Sequence, residues 1–357
     1  MKFRLFAGCA ALLASIFGTT AMAQMMRPPP FMGGVPGMNQ VRALEMQRHQ
    51  ARTLLYREAL EELRKNPKAA DVPDCAPGQT PTDAAKPLCL AQAAPPIPTP
   101  ATPVAAVPSA PTLPPPTRRR IAVLFGNNGY TKPIPALETP IFDVTAIASV
   151  LQARFGFETQ IVKDAGKATM IETLNRIAAD VTPEDSVLLF YAGHGYLMED
   201  IKMGYWIPVD ASVKTAKGWI SNSDISKLLA AIRARQLILV SDSCYSGTLT
   251  HEQQVNDQAE VRPENVYANR SVLALSSGGD EPVSDEGKDG HSIFAWSLIK
   301  ALEEVKGVTP GSRVWRKVHT TVTKDFEQKP QYGAVVSAGH AKGGEFLFLT
   351  ELTPPKP

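Results

Sequence analysis

The sequence predicts an α/β fold, a three-layer α/β/α sandwich with a mainly parallel central sheet, preceded by a long N-terminal region without a core. Three observations predict it. From residue 121 onward, apolar runs of strand length alternate with segments of helical spacing. The runs are apolar throughout rather than alternately polar, the pattern of strands covered on both faces. Proline is uneven: nineteen of the thirty-one fall in residues 1–120 and twelve in the rest. The globular unit is therefore shorter than the full 357 residues, and extends over about 120–350.

Residues 121–125 (Ile-Ala-Val-Leu-Phe) give the first strand, stopped by the turn sequence Gly126-Asn127-Asn128-Gly129. Residues 142–155 have helical spacing, with Val144, Ile147, Ala148 and Leu151 on one side. A short strand at 157–162 and a helix at 170–179 follow. Residues 186–191 (Ser-Val-Leu-Leu-Phe-Tyr) are a buried-type strand that runs into Ala192-Gly193-His194-Gly195. After a helix at 225–234, a second such strand at 237–240 runs into Ser241-Asp242-Ser243-Cys244. A strand at 271–275, helices at 292–302 and 311–326, and a closing strand at 345–349 complete the domain. No repeat of solenoid period is present.

The region ahead of the domain divides into three. Residues 1–23 read as a secretory signal: Lys2 and Arg4, an apolar run at 5–17, and the small-residue box Ala21-Met22-Ala23. That run is shorter than the roughly 20 residues that span a bilayer, so export to the periplasm or beyond is expected, without a membrane span. Residues 24–72 hold an amphipathic pattern at 38–65, with Leu44, Leu54, Leu55, Leu60 and Leu63 among charged residues. Residues 73–119 are a Pro/Ala/Thr-rich linker that runs into the domain through Arg118-Arg119-Arg120, and 351–357 form a C-terminal tail. A net charge of +2 without long basic runs gives no electrostatic footprint for nucleic acid.

Export places the cysteines in an oxidising setting. Removal of the signal takes Cys9 and leaves Cys75, Cys89 and Cys244, an odd number. Cys75 and Cys89 either close a small loop or both stay free. Cys244 stands apart, in a different context.

His194 and Cys244 each follow the C-terminal end of a buried strand, in a turn of glycine or serine. In open α/β sheets that edge is where sites form. A thiolate there attacks a carbonyl carbon, while an imidazole beside it carries the protons and protonates the leaving amine. Backbone N–H groups near Gly195 and at Cys244 suit a developing oxyanion. Other cysteine chemistries fit less well. No Arg follows Cys244 closely, no C-x-x-C is present, and Cys244 with His194 does not make up a zinc set.

Phe190-Tyr191-Ala192-Gly193-His194-Gly195 and Ser241-Asp242-Ser243-Cys244-Tyr245-Ser246-Gly247 resemble the His and Cys motifs of the caspase-like cysteine peptidases, most nearly the metacaspase branch. Cys244 lies 50 residues beyond His194, against about 50 in caspases. Ser276-Ser277, His291-Ser292-Ile293-Phe294, Pro330-Gln331-Tyr332 and Gly343-Gly344-Glu345-Phe346 extend the resemblance to about residues 120–349. It does not reach residues 24–119.

The resemblance implies a caspase-type fold, Cys244 as nucleophile, His194 as general acid/base, and cleavage of protein or peptide substrates after Arg or Lys. It assigns Asp242 to an acidic specificity pocket and matches Asp143 to a second pocket position. Two carboxylates suit a guanidinium fork. Asp143 equally suits the positive end of its own helix. Ala192 stands where related motifs often carry Ser. No cofactor is required by the dyad. Several metacaspases need Ca²⁺, and the carboxylates here are Glu199 and Asp200, Glu252 and Asp257, and the loop of Asp280, Glu281, Asp285, Glu286 and Asp289. Arg262, Arg270 and Arg118–Arg120 are candidate self-processing positions. The alternative, from a different class, is a catalytically silent caspase-like scaffold whose N-terminal region reaches a partner in the cell envelope.

Overall fold

The structure is a computed structural model. It describes residues 119–198, 202–243, 250, 253–254, 263–279, 287–326 and 328–350, and the two short strands Gln79–Pro81 and Cys89–Ala91. The expected signal, the amphipathic segment at 38–65 and most of the linker lie outside the described residues, as do Cys75 and Cys244. Within the linker, Gln79–Pro81 and Cys89–Ala91 pair antiparallel, with Cys89 opposite Pro81.

Among the described residues, seven strands make the central sheet: β1 (Arg120–Gly126), β2 (Glu158–Lys163), β3 (Ser186–Ala192), β4 (Gln236–Asp242), β5 (Gln253–Gln254), β6 (Ser271–Ser276) and β7 (Gln331–Ala334). Their spatial order is β5-β7-β6-β4-β3-β1-β2. β2, β1, β3, β4 and β6 are mutually parallel, and β7 runs antiparallel to both its neighbours. The chain moves outward from β1 to β2, then returns to place β3 on the other side of β1. The order therefore reverses between β1 and β3, the kind of switch point at which sites form beyond the carboxyl ends of the strands.

Side-chain alternation explains the three layers. Ala122 and Leu124, Leu188 and Phe190, Ile238 and Val240, and Leu273 and Leu275 face one way. They pack under α1 (Pro140–Phe155), α5 (Ile293–Glu303) and α6 (Gly311–Asp325). The residues between them, including Val123, Leu189, Tyr191 and Leu239, face the other way. They pack under α2 (Lys167–Asp180) and α3 (Asn222–Ala231). Both faces of each central strand are buried, so the strands read as unbroken apolar runs. A short α4 (Pro263–Ala268) precedes β6.

Helix ends are set locally. α1 has Pro140 at its start and ends at Gly156, whose φ of 64° is the left-handed conformation that suits glycine. α3 opens with a capping box between Ser221 and Asp224. Ser292 caps α5 by accepting from the Ala295 N–H at 2.9 Å.

The expected closing strand at 345–349 forms over its last three residues. Its core, Leu347–Leu349, pairs with Val308–Pro310 in a separate ribbon, and β7 and β5 finish the central sheet instead. Phe346 and Phe348 are buried with Phe155 in the layer beneath α1 and α6, so this segment follows the helices rather than the sheet edge. A small three-stranded sheet was not anticipated either. It consists of Gly195–Met198, Met203–Trp206 and Ile220–Ser221, and it sits directly after His194.

Candidate active site

β3 and β4 are neighbours, and their register puts Ala192 opposite Asp242. His194 and Cys244 are therefore each two residues past a matched pair on adjacent strands, which lie about 4.8 Å apart. The Gly193 N–H donates to the Asp242 carbonyl at 3.2 Å, so the two chain exits are tied beyond the ladder. Residues 244–249 lie outside the described residues. Asp242 and Ser243 are the last described residues before Cys244.

His194 is 9% exposed, and its Nε2 is 2.8 Å from the Pro135 carbonyl oxygen. A carbonyl only accepts, so Nε2 carries the proton and the neutral ring offers its lone pair at Nδ1. When the ring takes a second proton, the same carbonyl remains a favourable partner. The His194 backbone N–H donates to the Tyr130 hydroxyl at 2.8 Å, and the Tyr130 ring meets the imidazole edge-on at 4.6 Å. Burial pushes the Tyr130 phenol well above its ordinary pKa, so the phenol stays protonated.

The small sheet holds both strand ends. The Tyr191 hydroxyl lies 2.7 Å from the His194 carbonyl and 3.1 Å from the Ile207 carbonyl, with its one proton shared between them. Its ring stacks on Trp206 at 4.3 Å. The Trp206 indole N–H donates to Ser241 Oγ at 3.0 Å, and Ser241 Oγ is 3.1 Å from Ser243 Oγ. Trp206 thus links the histidine strand to the strand that leads to Cys244. Gly193 is required by space: a Cβ there would come within 2.5 Å of the Tyr130 hydroxyl and 2.8 Å of the Tyr191 hydroxyl. Gly195 opens the small sheet, opposite Trp206.

The two candidate pocket carboxylates meet at one dipeptide. Asp143, 1% exposed in the first turn of α1, has Oδ1 2.7 Å from His291 Nδ1 and accepts at Oδ2 from the Ser292 N–H at 3.4 Å. Asp242, also buried, accepts at Oδ2 from the Ser292 hydroxyl at 2.6 Å. Asp143 therefore makes tertiary bonds in addition to lying at its own helix start. Ser292 bridges both acids while capping α5. The sequence singled out Asp143 and Asp242 but missed His291 and Ser292 as their partners. The adjacency of a His and a Ser at a helix start was the available signal.

The sequence model of the caspase domain matches residues 119–337. The chain belongs to the caspase-domain family. A caspase domain is a cysteine-peptidase domain, which agrees with the resemblance carried by the His194 and Cys244 motifs. Metacaspase-1B of Aspergillus fumigatus and Metacaspase-1B of Neosartorya fischeri are each 27% identical to it over 208 residues. The matched region is 53% of this chain and 49% of each relative, so the chain spans about half the length of the curated relatives it matches.

In this caspase domain the candidate processing arginines differ sharply. Arg270 donates to the carbonyls of Ala234 and Ile232 at 2.8 Å, and of Leu229 and Ala338 at 3.3 and 3.4 Å. Arg119 binds Asp180 and Asp185 at 2.9 and 3.1 Å, and Arg120 lies in β1. Arg118 and Arg262 lie outside the described residues. So do Glu199, Asp200, Glu252, Asp257, Asp280, Glu281, Asp285 and Glu286. Asp289 accepts from the Trp296 indole N–H at 3.0 Å. Among the described residues there is no group of three or more His, Cys, Asp or Glu able to hold a metal ion, so no donor set for Ca²⁺ is assembled there. Among the same residues no helix is long and apolar enough to cross a membrane.

Proposed function

We propose that the chain is an exported cysteine endopeptidase of metacaspase type, cutting proteins after Arg or Lys. In this reading the Cys244 thiol gives its proton to Nδ1 of His194, and the sulfur attacks the scissile carbonyl carbon. The Gly195 and Cys244 N–H groups receive the oxyanion. The imidazolium then protonates the leaving amine, and a water hydrolyses the thioester. Asp143 and Asp242 receive the substrate cation. The observation that carries the reading is the Ala192–Asp242 register together with the Nε2–H donation of His194 to Pro135, which supports Nδ1 as the acid/base nitrogen beside the strand end that leads to Cys244. Self-processing then falls on Arg118 or Arg262, since the other candidate arginines are built into the fold.

The deciding experiment is turnover of peptides ending in Arg, Lys or Asp before a fluorogenic amine, with and without Ca²⁺. Wild type is compared with Cys244→Ala, and both are followed by mass spectrometry for self-cleavage. Cys244-dependent turnover of the Arg or Lys peptides is expected. No Cys244-dependent turnover of any peptide, in cut or uncut protein, would favour the scaffold role.

A further inference from the structure

The two buried acids do not stand alone, because the dipeptide His291-Ser292 binds both. The Ser292 hydroxyl has one proton, given to Asp242 at 2.6 Å, and its lone pair accepts the Ala295 N–H. Its direction is therefore fixed by the cap of α5. His291 is different, because its second ring nitrogen can take up a proton while the bond to Asp143 persists. At 2.7 Å one partner must donate, and with Asp143 ionised the donor is Nδ1–H. The neutral imidazole leaves the pair with one negative charge. Protonation at Nε2 makes it neutral overall, while the hydrogen bond persists.

We propose that His291 is a positioning and charge-setting residue of the acidic pocket, holding Asp143 in place and weakening recognition of a guanidinium or ammonium group in acid. The proposal rests on the cation-pocket reading above and goes beyond it by naming how the pocket's charge is set. His291 is well placed for this role. Its ring stacks on Phe142 at 4.3 Å, and Phe142 is 51% exposed, so the pair lies near solvent while Asp143 is buried behind it. Among the described residues, the charged groups around the imidazole are Asp143 from α1, Asp289 and Lys288 from its own hairpin, and Lys300 from α5. The Lys288 ammonium is drawn away over the Trp296 ring at 4.5 Å. Burial holds the imidazole below its usual pKa, so the negatively charged pair is the form present at neutral pH.

The sign follows from linkage. A cation prefers the pair that carries net negative charge, so its binding opposes proton uptake by His291. Affinity should then fall with acidification by up to about tenfold per pH unit below the imidazole's own range. A neutral ligand of the same shape should show no such slope.

The test uses full-length Cys244→Ala protein and calorimetric binding of two short peptides, one ending in Arg and one in citrulline, from about pH 8 to about pH 5. The Arg peptide should weaken as pH falls and the citrulline peptide should not. His291→Asn keeps a donor for Asp143 without titrating. It should retain Arg binding at neutral pH and lose most of the slope, while His291→Phe should bind the Arg peptide more weakly throughout. In the active enzyme the same changes should appear in KM and leave kcat nearly unchanged. A slope equally steep in His291→Asn, or shared by the citrulline peptide, overturns the proposal and leaves the cation pocket standing. No preference for Arg over citrulline at any pH overturns the pocket reading itself. Thermal melts confirm that each variant is folded.

Discussion

The Tyr130 hydroxyl accepts the backbone N–H of His194 at 2.8 Å while its ring packs edge-on against the imidazole at 4.6 Å. Tyr130 comes from the loop after β1, and Pro135, which accepts the Nε2–H, comes from the same loop. One loop therefore fixes both the main chain and the ring of His194. The cluster beneath it, which includes Ile134, Tyr205, Ile207 and Trp219, is buried and keeps that loop in place.

Tyr130→Phe keeps the ring and removes the acceptor. A buried N–H left unpaired costs about 1–3 kcal/mol. The expected result is a lower melting temperature and a fall in kcat of about tenfold, with KM little changed. Calorimetry beside steady-state kinetics checks it. Unchanged kcat would show that the tyrosine does not help set the ring.

Gly193→Ala should do more damage, because its Cβ would press on the Tyr130 and Tyr191 hydroxyls at 2.5 and 2.8 Å. Overpacking of this kind costs about 1–3 kcal/mol. Both hydroxyls contact the His194 backbone, so loss of turnover should exceed the loss expected from stability alone. Activity measured well below the melting temperature separates the two effects.

Arg270→Ala tests whether that arginine is structural. Its guanidinium serves four carbonyl oxygens between α3, β4 and the segment after β7. Removing it should lower stability by about 3 kcal/mol, and Lys should rescue little because it lacks the planar fork. No fragment ending at Arg270 is expected in the self-cleavage analysis. Such a fragment from folded protein would show that this clamp opens.

Stability should fall on acidification through the histidine range. Burial lowers the pKa of His340, whose Nδ1 accepts the Val272 N–H at 3.2 Å, and burial lowers His291 as well. The folded state then binds fewer protons than the unfolded state. Stability is full above the unfolded value near 6.5 and is lost as pH drops toward the folded values, by at most about 1.4 kcal/mol per pH unit for each group. Melting temperatures between about pH 7.5 and pH 5 should show this slope, and His340→Gln should reduce it. An identical slope in the variant would assign the effect elsewhere.

The central layer was readable because its physics is local in the chain. Residues 121–125, 186–191, 237–240 and 271–275 are each covered on both faces, so burial leaves an unbroken apolar run in each. The antiparallel strand β7 carries no such run, and the pairing of 347–349 with 308–310 has no local signal. Short strands with few apolar residues, such as Gln331–Ala334, take their partners from the edge they meet. The small sheet after His194 was missed for the same reason.

The sequence by itself determined the α/β class, the family resemblance, and the two strand-end motifs that contain His194 and Cys244. Those features rest on periodicity and on residue types within a few positions of one another. Tertiary structure alone decided which nitrogen of His194 carries the proton, since Pro135 lies 59 residues earlier. It also decided that Asp143 and Asp242, from α1 and β4, converge on His291 and Ser292 at the start of α5. Hydrogen bonds of that kind depend on which chain segments the sheet order brings together, and no local pattern encodes that order.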